Sequence, residues 1–262
     1  GEVLGPGAPG GFDATATWTG CVVRGDDGLW RMFYTGAVFP DPATNANVES
    51  VGVAVSGDLF NWTRRAAPVV RADARFYETL GTSGWPEEAW RDPWVYRDPD
   101  GLRWHMLITA RAGHGEEAGR GVIGHAISTN LEHWQVQPPL SDPQSGFGHL
   151  EVPQVVEIDG HQVLVFSCNT PRLSGTRAGT TGGIWTAPAA GPSGPFDAGK
   201  AKLLAPEDLY AGRLAQRRDG TWALLAFEMG RLGEPFSGRI CDPIPVRWDD
   251  TRCAPRLERY PS

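Results

Sequence analysis

An all-β fold, a propeller of four-stranded blades, is what this 262-residue sequence predicts, and three observations carry the prediction. Four Asp-Gly dipeptides, Asp27-Gly28, Asp100-Gly101, Asp159-Gly160 and Asp219-Gly220, each lie between two β-rich stretches, the strongest short-range hairpin signal. A second segment repeats at an offset of 72 residues: Gly52-Val-Ala-Val-Ser-Gly-Asp-Leu-Phe-Asn-Trp62 aligns with Gly124-His-Ala-Ile-Ser-Thr-Asn-Leu-Glu-His-Trp134. Finally, 34 glycines and 22 prolines punctuate the chain, which favours tight turns and short elements over long helices.

In chain order, the first hairpin joins Cys21-Val-Val-Arg24 to Trp30-Arg-Met-Phe-Tyr-Thr35, and the second joins Trp94-Val-Tyr-Arg97 to Trp104-His-Met-Leu-Ile-Thr109. The third pairs Val155-Val-Glu-Ile158 with Val163-Leu-Val-Phe-Ser167, and the fourth Arg213-Leu-Ala-Gln216 with Trp222-Ala-Leu-Leu-Ala-Phe227. The repeated segment completes the first two units with a strand, an Asp or Asn turn and a tryptophan placed to pack across a blade edge. A shorter echo, Gly183-Ile-Trp-Thr-Ala187, falls in the third unit. Four units result, at 17–65, 90–139, 150–206 and 209–257, within a single domain spanning 1–262. A β-sandwich is the alternative. Residues 1–16 are rich in Gly and Pro, with room for one edge strand at most, so either the ring has four blades or, as is expected, a first blade is missing and the ring shows a gap one blade wide, or one filled by another chain.

Composition narrows the function. With 24 basic and 31 acidic residues the formal charge is −7, and the basic residues are scattered, so the footprint of a nucleic-acid binder is absent. No apolar run approaches the ~20 residues that span a bilayer, which argues against a membrane partner. Cys21, Cys168, Cys241 and Cys253 have no metal-site spacing and read as free buried thiols. No signal-peptide pattern is legible, so a cytoplasmic setting is the expectation.

The innermost strands of a propeller line a central funnel, so polar residues at the starts of the units are the candidates for chemistry. Those starts read Trp18-Thr19-Gly20, Trp90-Arg91-Asp92-Pro93, Glu151-Val152-Pro153-Gln154 and Asp208-Leu209-Tyr210. Asp92 and Glu151 stand 59 residues apart, the interval of their hairpin glycines, which predicts equivalent positions converging on one axis. Two carboxylates meeting in a cleft separate into an acid and a charged partner, as glycoside hydrolysis requires. The alternative for Asp92 is a turn cap.

These residues resemble glycoside hydrolase family 32, the five-bladed propellers that cleave β-fructosides. The resemblance rests on Arg91-Asp92-Pro93, on Trp18-Thr19-Gly20 leading into a hairpin, and on Glu151 followed by Val152-Pro153, where the family has Glu-Cys-Pro. It implies a propeller of the five-bladed type with four blades visible, Asp92 as transition-state stabiliser and Glu151 as general acid/base. The family's nucleophilic aspartate, near the N-terminus in the first blade, has no counterpart here. Asp13 is weighed as a substitute nucleophile, a substrate contact or a turn residue. Arg91 is placed to bind sugar hydroxyls or to orient Asp92, the alternative being a structural salt bridge. Thr19 joins the substrate-binding set, Trp18, Trp90 and Tyr210 offer stacking faces, and His149 offers a contact. Trp62 and Trp134 are assigned to packing, and Glu228 and Asp242 to edges or turns.

The leading reading is therefore a retaining hydrolase of β-fructofuranosides such as sucrose or fructans, with a small carbohydrate as its partner and no cofactor or metal. An inactive or carbohydrate-binding propeller and an inverting arabinan- or xylan-cleaving enzyme are the alternatives. Burial beside Val152 and Pro153 and the charge of Asp92 are expected to raise the Glu151 pKa toward about 6 or 7.

Overall fold

A computed structural model describes residues 3–41, 43–230 and 238–258. The first sheet contains β1 (Ala16–Arg24), β2 (Trp30–Val38), β3 (Asn47–Ser56) and β4 (Thr63–Arg64) in that order. A two-residue strand, β5 (Glu87–Glu88), adds to β3 in parallel. The second sheet runs β6 (Trp90–Arg97), β7 (Trp104–Arg111), β8 (Gly121–Ser128) and β9 (Gln135–Gln137). The third runs β10 (Glu151–Ile158), β11 (His161–Cys168), β12 (Gly183–Pro188) and β13 (Lys202–Pro206), and the fourth β14 (Leu209–Gln216), β15 (Trp222–Glu228), β16 (Ile244–Asp249) and β17 (Ala254–Leu257). Apart from β5, every pairing within the sheets is antiparallel. The sheets match the four units read from the sequence; residues 231–237 of the fourth unit lie outside the described residues.

Strand alternation explains how the sheets stack. On β7, Met106, Ile108 and Ala110 join Phe33, Val51 and Val53 of the first sheet in one core, while Leu107 points into a second core with Leu164, Phe166 and Trp185 of the third. On β11, Val163 and Val165 in turn face Leu214 and Leu224 of the fourth sheet. Three cores therefore lie between four sheets in chain order, and strands buried on both faces read as continuous apolar runs. This is the blade stacking of a propeller. Among the described residues, the first and fourth sheets make no contact of comparable extent. Cys21 and Val23 of β1 pack toward the second sheet, so the alternate face, carrying Val22, looks away from it and is exposed.

The turn residues do what their chemistry allows. In three hairpins the Asp side chain accepts the amide two residues on, Leu29, Leu102 or Thr221, and Gly28, Gly101 and Gly220 take positive φ. Only Asp159-Gly160 forms a two-residue turn, with both residues at positive φ. The repeated segment closes twice in one geometry: Ser56 and Ser128 receive the amides of Leu59 and Leu131, both of which adopt positive φ. Trp134 then packs edge-on to Phe33 of the preceding blade, 5.4 Å between centroids, as its assignment to packing required. Residues 3–15 form no strand; Phe12 lies over Gly36 and Gly52, where any Cβ would meet its ring. Cys21, Cys168, Cys241 and Cys253 are all free, but Cys253 is exposed, so the expectation of four buried thiols fails at that turn residue. No helix among the described residues is long and apolar enough to cross a membrane.

Each inner strand carries a register shift near its start, at Trp18/Gly20, Arg91/Trp94, Glu151/Gln154 and Tyr210/Arg213. In the last three the bulge residue is left-handed: Asp92 at φ 58, Val152 at φ 51 and Ala211 at φ 52. A side chain there costs roughly 1–2 kcal/mol that glycine avoids. Ala211→Gly is therefore expected to stabilise the fold by about 0.5–1 kcal/mol in urea unfolding, its lost methyl offsetting part of the gain; a loss of stability would show that the bulge is not strained at that residue.

Candidate active site

The bulges set the site's register. Arg91, Glu151 and Tyr210 are the last paired residues before the shift in their blades, and Asp92, Val152 and Ala211 follow them. Asp92 is thus equivalent to Val152, and Glu151 to Arg91, so the expected equivalence of Asp92 and Glu151 is one residue out of register. Both carboxylates nonetheless line one cavity of about 430 Å³, together with Trp18, Thr19, Arg91 and Tyr210. Asn47, Glu49 and Glu87, which the sequence reading missed, form its remaining polar wall.

Asp92 is 4% exposed and held from three sides. Thr19 donates its hydroxyl to Oδ1; Oδ2 accepts from the Thr109 hydroxyl at 2.9 Å and from the Val152 amide at 3.1 Å. Its own amide donates to the Thr35 hydroxyl at 2.9 Å. Three donors fix the carboxylate in one orientation.

Arg91 is the hub. Nη1 donates to Glu49 Oε2 at 3.0 Å and to Glu87 Oε2 at 3.1 Å, while Nη2 reaches Glu151 Oε1 at 2.8 Å. Burial disfavours its charge, but the surrounding carboxylates outweigh that and hold the guanidinium protonated. The salt-bridge alternative for Arg91 thus describes its contacts, which run to three glutamates; Asp92 Oδ2 lies 3.7 Å from Nε.

Glu151 Oε1 takes the Arg91 bond, and Oε2 accepts the Tyr210 hydroxyl. Burial works to raise its pKa, but the His149 ring, which is charged only below about pH 4, the Arg91 guanidinium and the Tyr210 hydroxyl together hold it down at about 2. This reverses the expected rise toward 6 or 7, because Asp92 turns its oxygens to Thr19 and Thr109 while donors face Glu151. Tyr210 therefore contributes a hydroxyl where the sequence suggested a stacking face, and burial with Glu151 pushes that hydroxyl's pKa well up, keeping it a donor.

Three other candidates lie off the cavity wall. Trp90 is fully buried, its ring 4.7 Å from that of Tyr77, and it packs in the core. Asp13 is 2% exposed and accepts from the Tyr34 hydroxyl at 2.8 Å and Arg64 Nη1 at 2.7 Å, which ties residues 3–15 to the first blade. His149 is buried rather than solvated, with Nε2 3.2 Å from Glu151 Oε2. Trp18 is 39% exposed and presents the cavity's aromatic face. A second cavity of about 470 Å³, between Phe12, Ser50 and Arg71, lies on the other face of β3. No group of three metal-binding side chains occurs among the described residues.

Glu49 supplies a test of this electrostatic picture. It is 1% exposed, accepts from Arg91 and from the Trp90 amide at 2.9 Å, and burial outweighs Arg91 to raise its pKa from 4.5 to about 7. Between those values the folded chain keeps a proton that the unfolded chain has released, so rising pH penalises the folded state by up to about 3 kcal/mol. His125 and His149, both lowered to about 4 mainly by burial, act in the opposite sense as pH rises through 4 to 6.5. The difference between Glu49→Gln and the parent isolates Glu49: the variant should gain relative stability from pH 4.5 to 7 and no more above it. A flat difference across that window would contradict the buried, protonatable Glu49.

Comparison with known proteins bears on the whole arrangement. The family model described as "Glycosyl hydrolases family 32 N-terminal domain" matches residues 8–226. An inulosucrase from Halalkalicoccus jeotgali bound to kestose is similar in structure, with TM-score 0.77 and 20% identity over 95% of this chain and 71% of the other. A levansucrase from Gluconacetobacter diazotrophicus gives TM-score 0.72 and 16% identity over 93% of this chain and 62% of its own. A sucrose-6-phosphate hydrolase from Lactobacillus gasseri gives 0.68 and 16% over 95% of this chain, which spans 50% of that protein. No curated protein sequence matches the chain.

Proposed function

The chain belongs to glycosyl hydrolase family 32, and we propose that its cavity takes the fructosyl group of a β-fructofuranoside and supports hydrolysis with retention. The observation that supports this most is the opening of Asp92 and Glu151 into one cavity with Arg91 and Trp18. The solved neighbours named above include proteins titled for sucrose and for a kestose complex, which supports the substrate class.

On this reading Asp92, fixed by Thr19, Thr109 and the Val152 amide, accepts hydrogen bonds from sugar hydroxyls and stabilises positive charge developing at the anomeric carbon. Glu151 gives its proton to the glycosidic oxygen as that bond breaks, then takes a proton from the water that attacks the anomeric carbon. A bound sugar competes for the Arg91 and Tyr210 donors; freed of them, Glu151 is governed by burial, which raises its pKa toward the range a general acid needs. A retaining reaction also needs a carboxylate that bonds to the anomeric carbon and is displaced when water attacks; on this reading a further blade supplies it against the face of β1 that carries Val22.

Incubation of the intact gene product with sucrose, inulin, levan and aryl arabinofuranosides tests the reading. Free fructose from one of the first three is expected. Cleavage of arabinofuranosides alone would replace it with the arabinan-cleaving alternative, and sugar binding without any cleavage would replace it with a carbohydrate-binding propeller.

A further inference from the structure

His149 is buried to 5% exposure in the loop that leads into β10, and neither of its ring nitrogens has an aligned hydrogen-bond partner. A buried polar atom left without a partner costs roughly 1–3 kcal/mol. Nothing about the backbone lets the ring escape. Cys168, at the end of β11, lies close to the His149 backbone, and His149 Cα sits where a Cβ on Gly121, at the start of β8, would collide with it. Two strands thus clamp the residue and aim Nε2 at Glu151 Oε2, 3.2 Å away but not aligned while Glu151 is held by Arg91 and Tyr210.

We propose that His149 is the positioning residue of Glu151: its neutral imidazole, protonated at Nε2, receives the carboxylate when a sugar takes over the donors of Arg91 and Tyr210. The inference rests on the reading of Glu151 as acid/base. A double-displacement reaction needs one group to act first as acid and then as base, so its pKa must lie near the working pH. Burial alone would carry Glu151 too high to ionise readily, and a permanent cation as sole partner would hold it too low. A neutral N–H donor moderates the rise without adding a fixed charge. The surroundings keep the imidazole neutral: burial and the nearby Arg91 and Arg172 oppose its protonation, outweighing Glu151 and Glu87, which favour it. Around Glu151 itself the facing groups are His149, Arg91, Tyr210 and the Cys168 thiol, which burial holds protonated.

Two measurements test the proposal. In ¹⁵N-labelled parent protein at pH 7, with His149 assigned by difference from His149→Gln, the ring should be the Nε2–H tautomer; the Nδ1–H tautomer or an imidazolium would overturn the proposal, whether or not the protein has activity. In pH profiles of kcat/KM for fructoside cleavage, His149→Leu should move the alkaline limb up by about one pH unit. His149→Gln, which keeps an N–H donor, should leave that limb near its parental position. Equal limbs in all three proteins would reduce His149 to packing. Absence of fructoside cleavage by the intact gene product with the Nε2–H tautomer would overturn the acid/base reading of Glu151 and leave the tautomer standing.

Discussion

Glu151→Gln is expected to lower turnover on fructosides with poor leaving groups by about 10² to 10⁴-fold, and to cost much less on activated aryl fructosides that need little protonation. The amide keeps the size of the carboxyl, its oxygen can still accept from Arg91 and its NH2 can donate to the Tyr210 hydroxyl oxygen, so the loss reports the missing proton more than a disturbed cavity. Asp92→Asn provides the contrast. Its oxygens are held by Thr19, Thr109 and the Val152 amide, which suits a group that stabilises the transition state rather than delivers a proton, so its loss should fall on both kinds of substrate alike. Equal losses on both leaving groups in Glu151→Gln would remove the general-acid assignment.

Arg91→Met should destabilise the fold by about 3–5 kcal/mol, the usual consequence of removing one partner from a buried ion pair. The magnitude follows from what is left behind: Glu49, 1% exposed, loses its guanidinium, and Glu87 and Glu151 lose theirs. Adding Glu49→Gln should recover part of the loss above pH 7, where Glu49 without its guanidinium must either keep a proton or stay charged while buried. Urea unfolding of the two single variants and the double variant measures that coupling. A loss below about 1 kcal/mol in Arg91→Met would mean that the cluster is solvated and contributes little order to the site.

The limits of the four blades were legible because Asp-Gly turns and the Gly52/Gly124 repeat are local devices, and the folded chain uses them as local chemistry dictates. Register across blades was not. Asp98 to Arg103 make a wide turn whereas Asp159-Gly160 makes a two-residue one, so glycine spacing shifts by one residue against the strands. That shift made Asp92 the apparent counterpart of Glu151, when its counterpart is Val152. Asn47, Glu49 and Glu87 escaped notice because the funnel was sought only in the innermost strands. Yet Glu49 shares a strand face with Val51 and Val53, both in the core between the first two blades. A carboxylate on an apolar face was the available signal. The burial of His149 had no local signal, since it depends on Gly121 from one strand and Cys168 from another.

The central claim, that Asp92 and Glu151 bound a fructosyl site, is tested most directly by a crystal structure of Glu151→Gln soaked with sucrose or a short fructan. A fructofuranosyl ring is expected in the cavity beside Trp18, with hydroxyls within hydrogen-bond distance of Asp92 and Arg91. A sugar bound instead between Phe12, Ser50 and Arg71 on the other face of β3, with none beside Asp92, would contradict it.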